Sequence, residues 1–384
     1  MQRALNVQAD QIERVLYAHK VPARVLGGLV TPRWVRFEVL PAANARLSSL
    51  TRLSEEIALW LGSRSVRICR RADRVHIEVP RPQGQLVRLL PLVARLQTIP
   101  RQSAILGLDE DGIPLLLRLP SPEVGHVLLA GTTGSGKTAL ARTMLLSLAM
   151  HNRLGEVQLV IIDPKGRSFS PLEALPHLLY PVARSLEAAH TLLERLVQEM
   201  MRRDQLALQE PRLIILIDEL ADLVTAGGAD IVRTITRLTQ RGREAGLHVI
   251  GCTQKPTVEA IGSLVKSNFP VRLVGSVASP EDGRVATGLK GAGAEQLMGR
   301  GDFLLVIKGE VVHFQAAYVS DREARWVAQQ LCQGHRTSRR WTPESLRDIA
   351  ALPDTEPAST SCDSLRRLRH QPITATDQTG PQAG

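Results

Sequence analysis

Short runs of apolar residues alternate with helical patterns through the central part of the chain. Five such runs occur, at residues 127–130, 157–162, 213–217, 247–252 and 271–277. Continuous apolar strands separated by helices are typical of a parallel sheet covered on both faces. Beyond them, residues 303–316 predict a hairpin that turns at Lys308 and Gly309, and residues 321–332 predict a helix. The pattern therefore predicts an α/β domain over residues 106–333.

The two ends of the chain follow different patterns. Among the first residues, 33–40 and 75–79 alternate as strands do, and 48–61 is an amphipathic helical pattern. We interpret residues 1–105 as a smaller α/β domain whose end is marked by prolines. In residues 334–384 the periodicity is lost and Pro, Ser, Thr, Gln and Asp dominate. We expect this last segment to be a mostly disordered polar and basic tail.

A glycine-rich loop follows the first of the central strands. Residues 126–138 read HVLLAGTTGSGKT, and a helical pattern begins immediately afterwards. This order forms a phosphate-binding P-loop, because glycines let successive N–H groups converge on an anion and the helix start adds partial positive charge. Lys137 would reach the β- and γ-phosphates, and the Thr138 hydroxyl would hold Mg²⁺. The predicted nucleotide-binding residues are Gly131, Thr132, Thr133, Gly134, Ser135, Gly136, Lys137 and Thr138.

Two acidic residues end another apolar strand. The segment RLIILIDELADL, residues 212–223, places Asp218 and Glu219 where that strand would stop beside the P-loop. We predict that Asp218 orients Mg²⁺ and that Glu219 holds the water that attacks the γ-phosphate. Gln254, which ends HVIGCTQ, is a candidate sensor of the γ-phosphate or of that water. The alternatives are that the acids cap the next helix and that Gln254 lies in a surface turn.

These elements together predict an α/β fold, with a RecA-like P-loop NTPase parallel sheet and a smaller N-terminal α/β subdomain. LVIIDPKG, residues 159–166, contains the D-x-x-G pattern found in GTPases. However, the sequence has no N-K-x-D element that would read guanine, and the acid pair lies on a different strand. The LSGGQ signature of ABC transporters is also absent from the sequence. ATP with Mg²⁺ is therefore the expected cofactor.

The composition of the chain indicates which partners it could bind and in which cellular compartment it would lie. The formal net charge is +10 and arginine far outnumbers lysine, so the surface would attract polyanions, although codon bias explains the arginine excess equally well. Aromatic residues make up only 3%, which favours a duplex held by its backbone over stacked single-stranded bases. No apolar run reaches the roughly 20 residues that cross a bilayer. The four cysteines fit no metal spacing, and we interpret them as free thiols of a cytoplasmic protein.

Residues 20–333 resemble the motor domain of the FtsK/SpoIIIE family of DNA translocases. The P-loop segment, VIIDPK, IDELADL and GAEQLMGRGDFLL carry the resemblance, and residues 246–284 follow the family pattern almost position by position. The resemblance implies a hexameric ring around double-stranded DNA. It also implies an arginine that completes a neighbouring subunit's ATP site, with Arg272 the first candidate and Arg284 the second. From the sequence alone, either arginine could instead form a surface salt bridge.

Three functional hypotheses remain open from the sequence. The first is an ATP-dependent translocase that pumps double-stranded DNA. The second is an ATP-switched coupling or recruitment protein that delivers DNA to a conjugation or secretion channel, with a membrane-associated protein or a relaxase as partner. The third is a P-loop ATPase that acts on protein or RNA. We expect neither the membrane-spanning helices nor the winged-helix domain that many members of the resembled family carry.

Overall fold

The computed structural model describes residues 2–333 except for 33, 43–44, 64, 72–73, 82–85, 167, 255 and 257–267. The predicted tail, residues 334–384, lies outside the described residues. Within the described part of the chain, no helix is both long enough and apolar enough to cross a bilayer.

The small domain, residues 2–80, is a four-stranded antiparallel sheet with helices packed on one face. Its elements are α1 (Gln2–Ala18), β1 (Ala23–Val30), β2 (Trp34–Pro41), α2 (Leu47–Thr51), α3 (Ser54–Trp60), β3 (Arg67–Arg71) and β4 (Arg74–Pro80). The strand order across the sheet is β1-β2-β4-β3. Leu16, Phe37, Ile57 and Ile77 belong to one apolar core between helices and sheet. The helix expected over 48–61 is divided between α2 and α3.

The large domain, residues 87–333, is built around one long mixed sheet. Its first elements are β5 (Val87–Arg88), α4 (Leu89–Arg95), β6 (Ser103–Asp109), β7 (Pro114–Arg118), β8 (Val127–Ala130), α5 (Lys137–His151) and β9 (Val157–Ile162). The next are α6 (Leu186–Leu206), β10 (Arg212–Ile217), α7 (Leu220–Arg241), β11 (Leu247–Thr253) and β12 (Val271–Val274). The last are α8 (Pro280–Thr287), β13 (Asp302–Ile307), β14 (Glu310–Tyr318) and α9 (Asp321–Cys332).

The sheet confirms the predicted parallel architecture. Its order is β7-β6-β14-β13-β12-β8-β11-β10-β9, with β5 paired to β14. The five predicted apolar runs form the parallel part, β12-β8-β11-β10-β9, and the remaining strands on the main path pair antiparallel. Because side chains alternate along a strand, neighbours such as Leu128 and Leu129 enter separate cores on opposite faces. Helix α5 packs in one core, and α6 and α7 pack in the other.

The change from small to large domain comes earlier than the sequence predicts. Val87, Leu89, Leu90 and Ile105 all lie in the core of the large domain, whereas the small core ends at Val79. The prolines therefore do not mark a boundary near residue 105. Pro91 lies in the first turn of α4, where a missing N–H costs no helical hydrogen bond.

The hairpin and closing helix agree with their predicted positions. Lys308 and Gly309 both have positive φ, 50° and 83°, as a two-residue turn between β13 and β14 requires. Helix α9 starts with a capping box in which Ser320 and Glu323 satisfy each other's backbone N–H groups. Local chemistry therefore fixes both elements.

The expectation that all the cysteines are free is wrong for Cys332. The structure places Cys332 in a disulfide bond, whereas Cys252 is a buried free thiol. Spacing along the sequence excludes a compact metal site but does not report which thiols the fold brings together.

Two buried histidines lie where β8 and β11 begin. His248 donates from Nδ1 to the Gly125 carbonyl at 2.8 Å and accepts from Arg212 Nη1 at Nε2, 3.0 Å away. His126 accepts the Val249 N–H at Nδ1, at 3.0 Å. Burial lowers the pKa of His126 to about 3 and that of His248 to about 4, so both rings are neutral near pH 7.

Candidate ATP site

Three neighbouring parallel strands end at the same edge of the large sheet. Strand β11 lies between β8 and β10, so the residues after Ala130, Ile217 and Thr253 meet there. The carboxyl edge of an open parallel sheet is where such folds bind ligands. The P-loop, the acid pair and Gln254 all begin at this edge.

The P-loop has the backbone that its glycines predict. It leaves the fully buried strand β8, and helix α5 begins at Lys137. Gly136 has a φ of 97°, and a Cβ there would lie 2.8 Å from the Gly301 backbone nitrogen. A larger residue would therefore be strained and would collide with the neighbouring chain segment. Thr138 occupies the first turn of α5.

Lys137 and Glu219 form a buried ion pair in the centre of the site. Lys137 Nζ lies 3.4 Å from Glu219 Oε2, and the two side chains are 6% and 7% exposed. The Gln254 backbone N–H also donates to Glu219 Oε1, at 3.1 Å. The carboxylate therefore links the P-loop lysine to the end of β11.

The Gln254 side chain contacts the P-loop directly. Thr133 Oγ1 donates to Gln254 Oε1 at 3.1 Å. The structure thus brings Lys137, Glu219, Gln254 and Thr133 together at this edge of the sheet. Gln254 is exposed in the bend after β11, as the surface-turn alternative expects, and both its backbone and its side chain bond to candidate site residues.

Asp218 lies in an environment that sequence reasoning described incompletely. Burial, and next the charge of Asp163, raise the pKa of the Asp218 carboxyl. Ser168 Oγ donates to Asp218 Oδ2 at 3.1 Å. Asp163 in turn accepts the N–H groups of Gly166 and Ser168, each at 3.0 Å. Asp163 and Ser168 are therefore site residues that the sequence analysis missed.

The signal for Asp163 was present but was interpreted differently. The segment VIIDPK ends β9, which pairs parallel with β10, so Asp163 lies beside Asp218 at the same sheet edge. In the sequence, this aspartate was interpreted as part of a GTPase-like pattern and of the family resemblance, and it was assigned no role in the site. In the structure, the Asp163 carboxylate stabilises the turn that contains Ser168.

The oxygen donors at this edge fit Mg²⁺. The ion usually takes one or two carboxylates, a hydroxyl, waters and substrate phosphates. Asp218 and Thr138 supply a carboxylate and a hydroxyl. Within the described ranges, no group of three or more His, Cys, Asp or Glu residues could hold a metal alone.

The two candidate arginines lie in different environments. Arg272 donates to the carbonyls of Phe269 at 3.3 Å, Val285 at 3.3 Å and Ala286 at 3.4 Å, and burial lowers its pKa. The last two carbonyls belong to the final turn of α8, so Arg272 caps that helix in its own chain. Arg284 is 48% exposed and pairs with Glu281 one helical turn away.

Comparison with known proteins gives matches at family level. The model described as the FtsK/SpoIIIE family matches residues 99–210 and 205–258, and the FtsK alpha domain model matches residues 1–81. DNA translocase FtsK of Sporosarcina ureae is 32% identical over 355 residues, which cover 84% of this chain and 45% of the relative. DNA translocase SftA of Bacillus subtilis (strain 168) is 34% identical over 349 residues, covering 83% of this chain and 36% of the relative. This chain thus spans less than half the length of these relatives.

Solved structures with the same fold are more distant in sequence. The pCW3 conjugation coupling protein TcpA, in a monomer form with ATPγS, superposes with a TM-score of 0.58 at 19% identity, covering 86% of this chain and 99% of that one. The cytoplasmic domain of the type VII secretion ATPase EccC of Thermomonospora curvata gives a TM-score of 0.54 at 24% identity, covering 70% and 34%. At these identities the likeness concerns the fold, and it agrees with the predicted P-loop NTPase class.

Proposed function

The chain belongs to the FtsK/SpoIIIE family, and we propose that it is an ATPase that moves along double-stranded DNA. The observation that carries the proposal is the buried Lys137–Glu219 pair at the end of the P-loop strand, with Gln254 bonded to both the acid and the loop. A site that only stores a nucleotide has no need of a carboxylate aimed at the γ-phosphate position. The names of the translocase relatives support DNA as the partner.

The proposed reaction is attack of water on the γ-phosphorus of ATP. The P-loop N–H groups and Lys137 bind the phosphates, and Lys137 exchanges its Glu219 partner for phosphate oxygens. Glu219 then accepts a proton from the water as its oxygen bonds to phosphorus, and the bond to the bridging oxygen of ADP breaks. Mg²⁺, held by Asp218 and Thr138 with the phosphates, would neutralise part of the phosphate charge.

Gln254 is suited to report the state of the γ-phosphate. Its side chain bonds to Thr133 of the P-loop and its backbone to Glu219, so a change at either partner moves the end of β11. The chain that follows Gln254 includes residues outside the described ones. We propose that, through these two hydrogen bonds, the position of the end of β11 depends on whether the γ-phosphate is present.

We further propose that the chain works as a homo-oligomer, with a hexameric ring as the expected form and the cytoplasm as its location. An arginine from a neighbour would then complete the ATP site. Arg284 suits that role better than Arg272, because Arg272 is occupied with the end of α8. Sedimentation of the protein with nucleotide and duplex DNA measures the number of subunits. A protein that stays monomeric under all these conditions would refute the ring.

The experiment that tests the proposed function is ATP turnover with and without long duplex DNA over a salt series. We expect DNA to stimulate turnover and the stimulation to weaken as salt rises, because backbone contacts release counterions. Lys137→Ala should abolish turnover with or without DNA. Turnover that is indifferent to duplex DNA in the assembled protein would contradict the proposal.

The alternative is a coupling protein that uses ATP binding as a switch and delivers DNA to a channel. Such a protein would bind ATP and duplex DNA without moving along it, and would co-purify with a relaxase or a membrane-associated channel protein. The Glu219 carboxylate beside the lysine favours hydrolysis over switching alone. A relaxase bound to a protein that hydrolyses no ATP would reverse this preference.

A further inference from the structure

Charged side chains join the small domain to one turn of the large domain. Arg36 on β2 is buried and donates from Nε to Glu78 Oε1 at 2.9 Å. Its other nitrogens pair with Asp111 and donate to the Glu110 carbonyl at 3.2 Å. Arg67 on β3 adds a 3.4 Å contact to Glu110 Oε1. The turn between β6 and β7 is therefore held by two arginines of the small domain.

The same turn contacts a histidine of the large sheet. His313 on β14 has Nδ1 2.9 Å from Glu110 Oε1 and Nε2 2.5 Å from Asp302 Oδ1. Each ring nitrogen of His313 thus lies within hydrogen-bond distance of a different carboxylate. Asp302 is 2% exposed, and hydrogen bonds in such a low-dielectric setting are strong. His313 thus connects the β6–β7 turn to the start of β13.

Asp302 ends the loop 298–302, and this loop lies directly against the P-loop. The second oxygen of Asp302 accepts the Met298 N–H at 2.8 Å, which closes the loop. From within the loop, the Arg300 N–H donates to the Gly134 carbonyl at 2.9 Å. The Gly301 N–H donates to the Ser135 carbonyl at 2.8 Å. The loop therefore fixes two peptide groups of the P-loop from behind.

The second of these bonds determines where a phosphate-binding N–H points. The peptide between Ser135 and Gly136 is planar and trans, so its C=O and N–H point in opposite directions. With the carbonyl held by Gly301, the Gly136 N–H is directed away from the loop 298–302. Converging N–H groups of this kind are what a P-loop offers to phosphate. A shift of the loop 298–302 would rotate that donor.

We propose that His313 is a positioning residue that couples the P-loop to the small domain. The coupling runs from Arg36 and Arg67 through Glu110, His313 and Asp302 to the loop 298–302. It rests on the proposed binding of ATP at the P-loop. Since coupling between two sites is reciprocal, nucleotide binding changes the small domain, and the position of the small domain changes nucleotide affinity by the same factor.

The test uses the full chain with His313→Gln, Glu110→Gln and the double variant. Glutamine at 313 replaces two ring nitrogens, each of which contacts a different carboxylate, with a single amide group. Glutamine at 110 removes the charge that His313 and Arg67 contact. The matched control is His190→Gln, because His190 also lies beside a glutamate, 3.8 Å from Glu194 on the exposed side of α6. The readouts are the KM and kcat for ATP, and amide hydrogen exchange with and without a non-hydrolysable ATP analogue and Mg²⁺.

In the wild-type protein we expect the analogue to protect residues 131–138 and also to change exchange in β2 and β4. His313→Gln should keep protection of the P-loop at saturating analogue and lose the change in β2 and β4. Its KM should rise by about fivefold or more, the lower end of measured couplings, with kcat within about threefold. The rise in KM of the double variant should be no larger than that of the more impaired single variant, because both substitutions interrupt the same connection. His190→Gln should behave as wild type.

Two results would overturn the coupling. One is wild-type protein whose P-loop is protected by the analogue while β2 and β4 do not respond. The other is a folded His313→Gln or Glu110→Gln protein that keeps both the small-domain response and the wild-type KM; either variant alone suffices. Failure of the proposed function looks different, since the analogue would then leave residues 131–138 themselves unprotected, or ATP would bind without being hydrolysed.

Discussion

Replacement of Glu219 by glutamine should affect ATP binding and ATP hydrolysis differently, and the structure allows us to estimate both changes. Glutamine has nearly the same shape and keeps one oxygen to accept the Gln254 N–H, so the fold is expected to persist. It removes the negative charge that faces Lys137 and the group proposed to take the proton of water. Binding and turnover should therefore change in opposite directions.

The expected change in ATP affinity can be estimated from the distance between Lys137 and Glu219. At 3.4 Å, the attraction between the charges is about 5 kcal/mol at an effective dielectric constant of about 20. Desolvation offsets most of this for a buried pair. If about 1.4 kcal/mol remains, ATP should bind about tenfold more tightly once Lys137 no longer has to leave Glu219. Loss of a general base should lower kcat by about 10²- to 10⁴-fold.

The assay is equilibrium binding of ATP together with turnover in saturating duplex DNA. Asp222→Asn is the matched control, because Asp222 is a nearby acid that is 63% exposed and pairs with Lys165 rather than Lys137. The control should change neither quantity by more than about twofold, as expected for an exposed pair. A Glu219→Gln protein with wild-type kcat would refute the role of Glu219, and weaker ATP binding would refute the exchange of partners by Lys137.

Three further predictions follow from contacts away from the reacting atoms. Arg272→Ala should destabilise the protein by about 1–3 kcal/mol in chemical denaturation, because buried carbonyls at the end of α8 lose their donor, and an unchanged midpoint would contradict that role. Ser168→Ala should raise the Mg²⁺ concentration needed for half-maximal turnover several-fold while leaving the unfolding midpoint near wild type, since the hydroxyl orients Asp218; an unchanged Mg²⁺ requirement would refute this. His126 and His248 have pKa values lowered by burial to about 3 and about 4, so the unfolded chain binds more protons below its own histidine pKa of about 6.5. Their contribution to the free energy of unfolding is complete above that pH and is lost as the pH falls towards 4. The urea midpoint of the wild-type protein should therefore be lower at pH 5 than at pH 7.5. The difference between the two midpoints should be smaller for His248→Gln, and an equal difference would contradict the role of His248.

The parallel part of the sheet could be predicted because each of its strands is buried on both faces. Residues such as Val160 and Ile161 enter different cores, so most positions in these strands are apolar and the runs are nearly continuous. The site followed from the same fact, since the polar residue after each run must lie at the carboxyl edge. The Lys308–Gly309 turn was predictable because Gly309 tolerates the positive φ that a two-residue hairpin turn requires.

The small domain and the edge strands were harder to predict because their signals are local and weak. Strand β1 is largely exposed, and its Gly27 and Gly28 weaken the alternation that would identify it. The domain boundary was misplaced because prolines punctuate segments that nevertheless pack in the large core, such as α4. The position of Ser168 beside Asp218 depends on the turn held by Asp163, a tertiary contact that residue patterns do not encode.

The measurement that tests the account most directly is displacement of a triplex-forming strand from long duplex DNA by the purified protein with ATP and Mg²⁺. Movement along the helix should strip the third strand at a rate that depends on ATP, and Glu219→Gln should bind the duplex but leave the triplex intact. A wild-type protein that assembles on DNA and hydrolyses ATP, yet never releases the third strand, would contradict the central claim that hydrolysis at Lys137 and Glu219 drives movement along DNA.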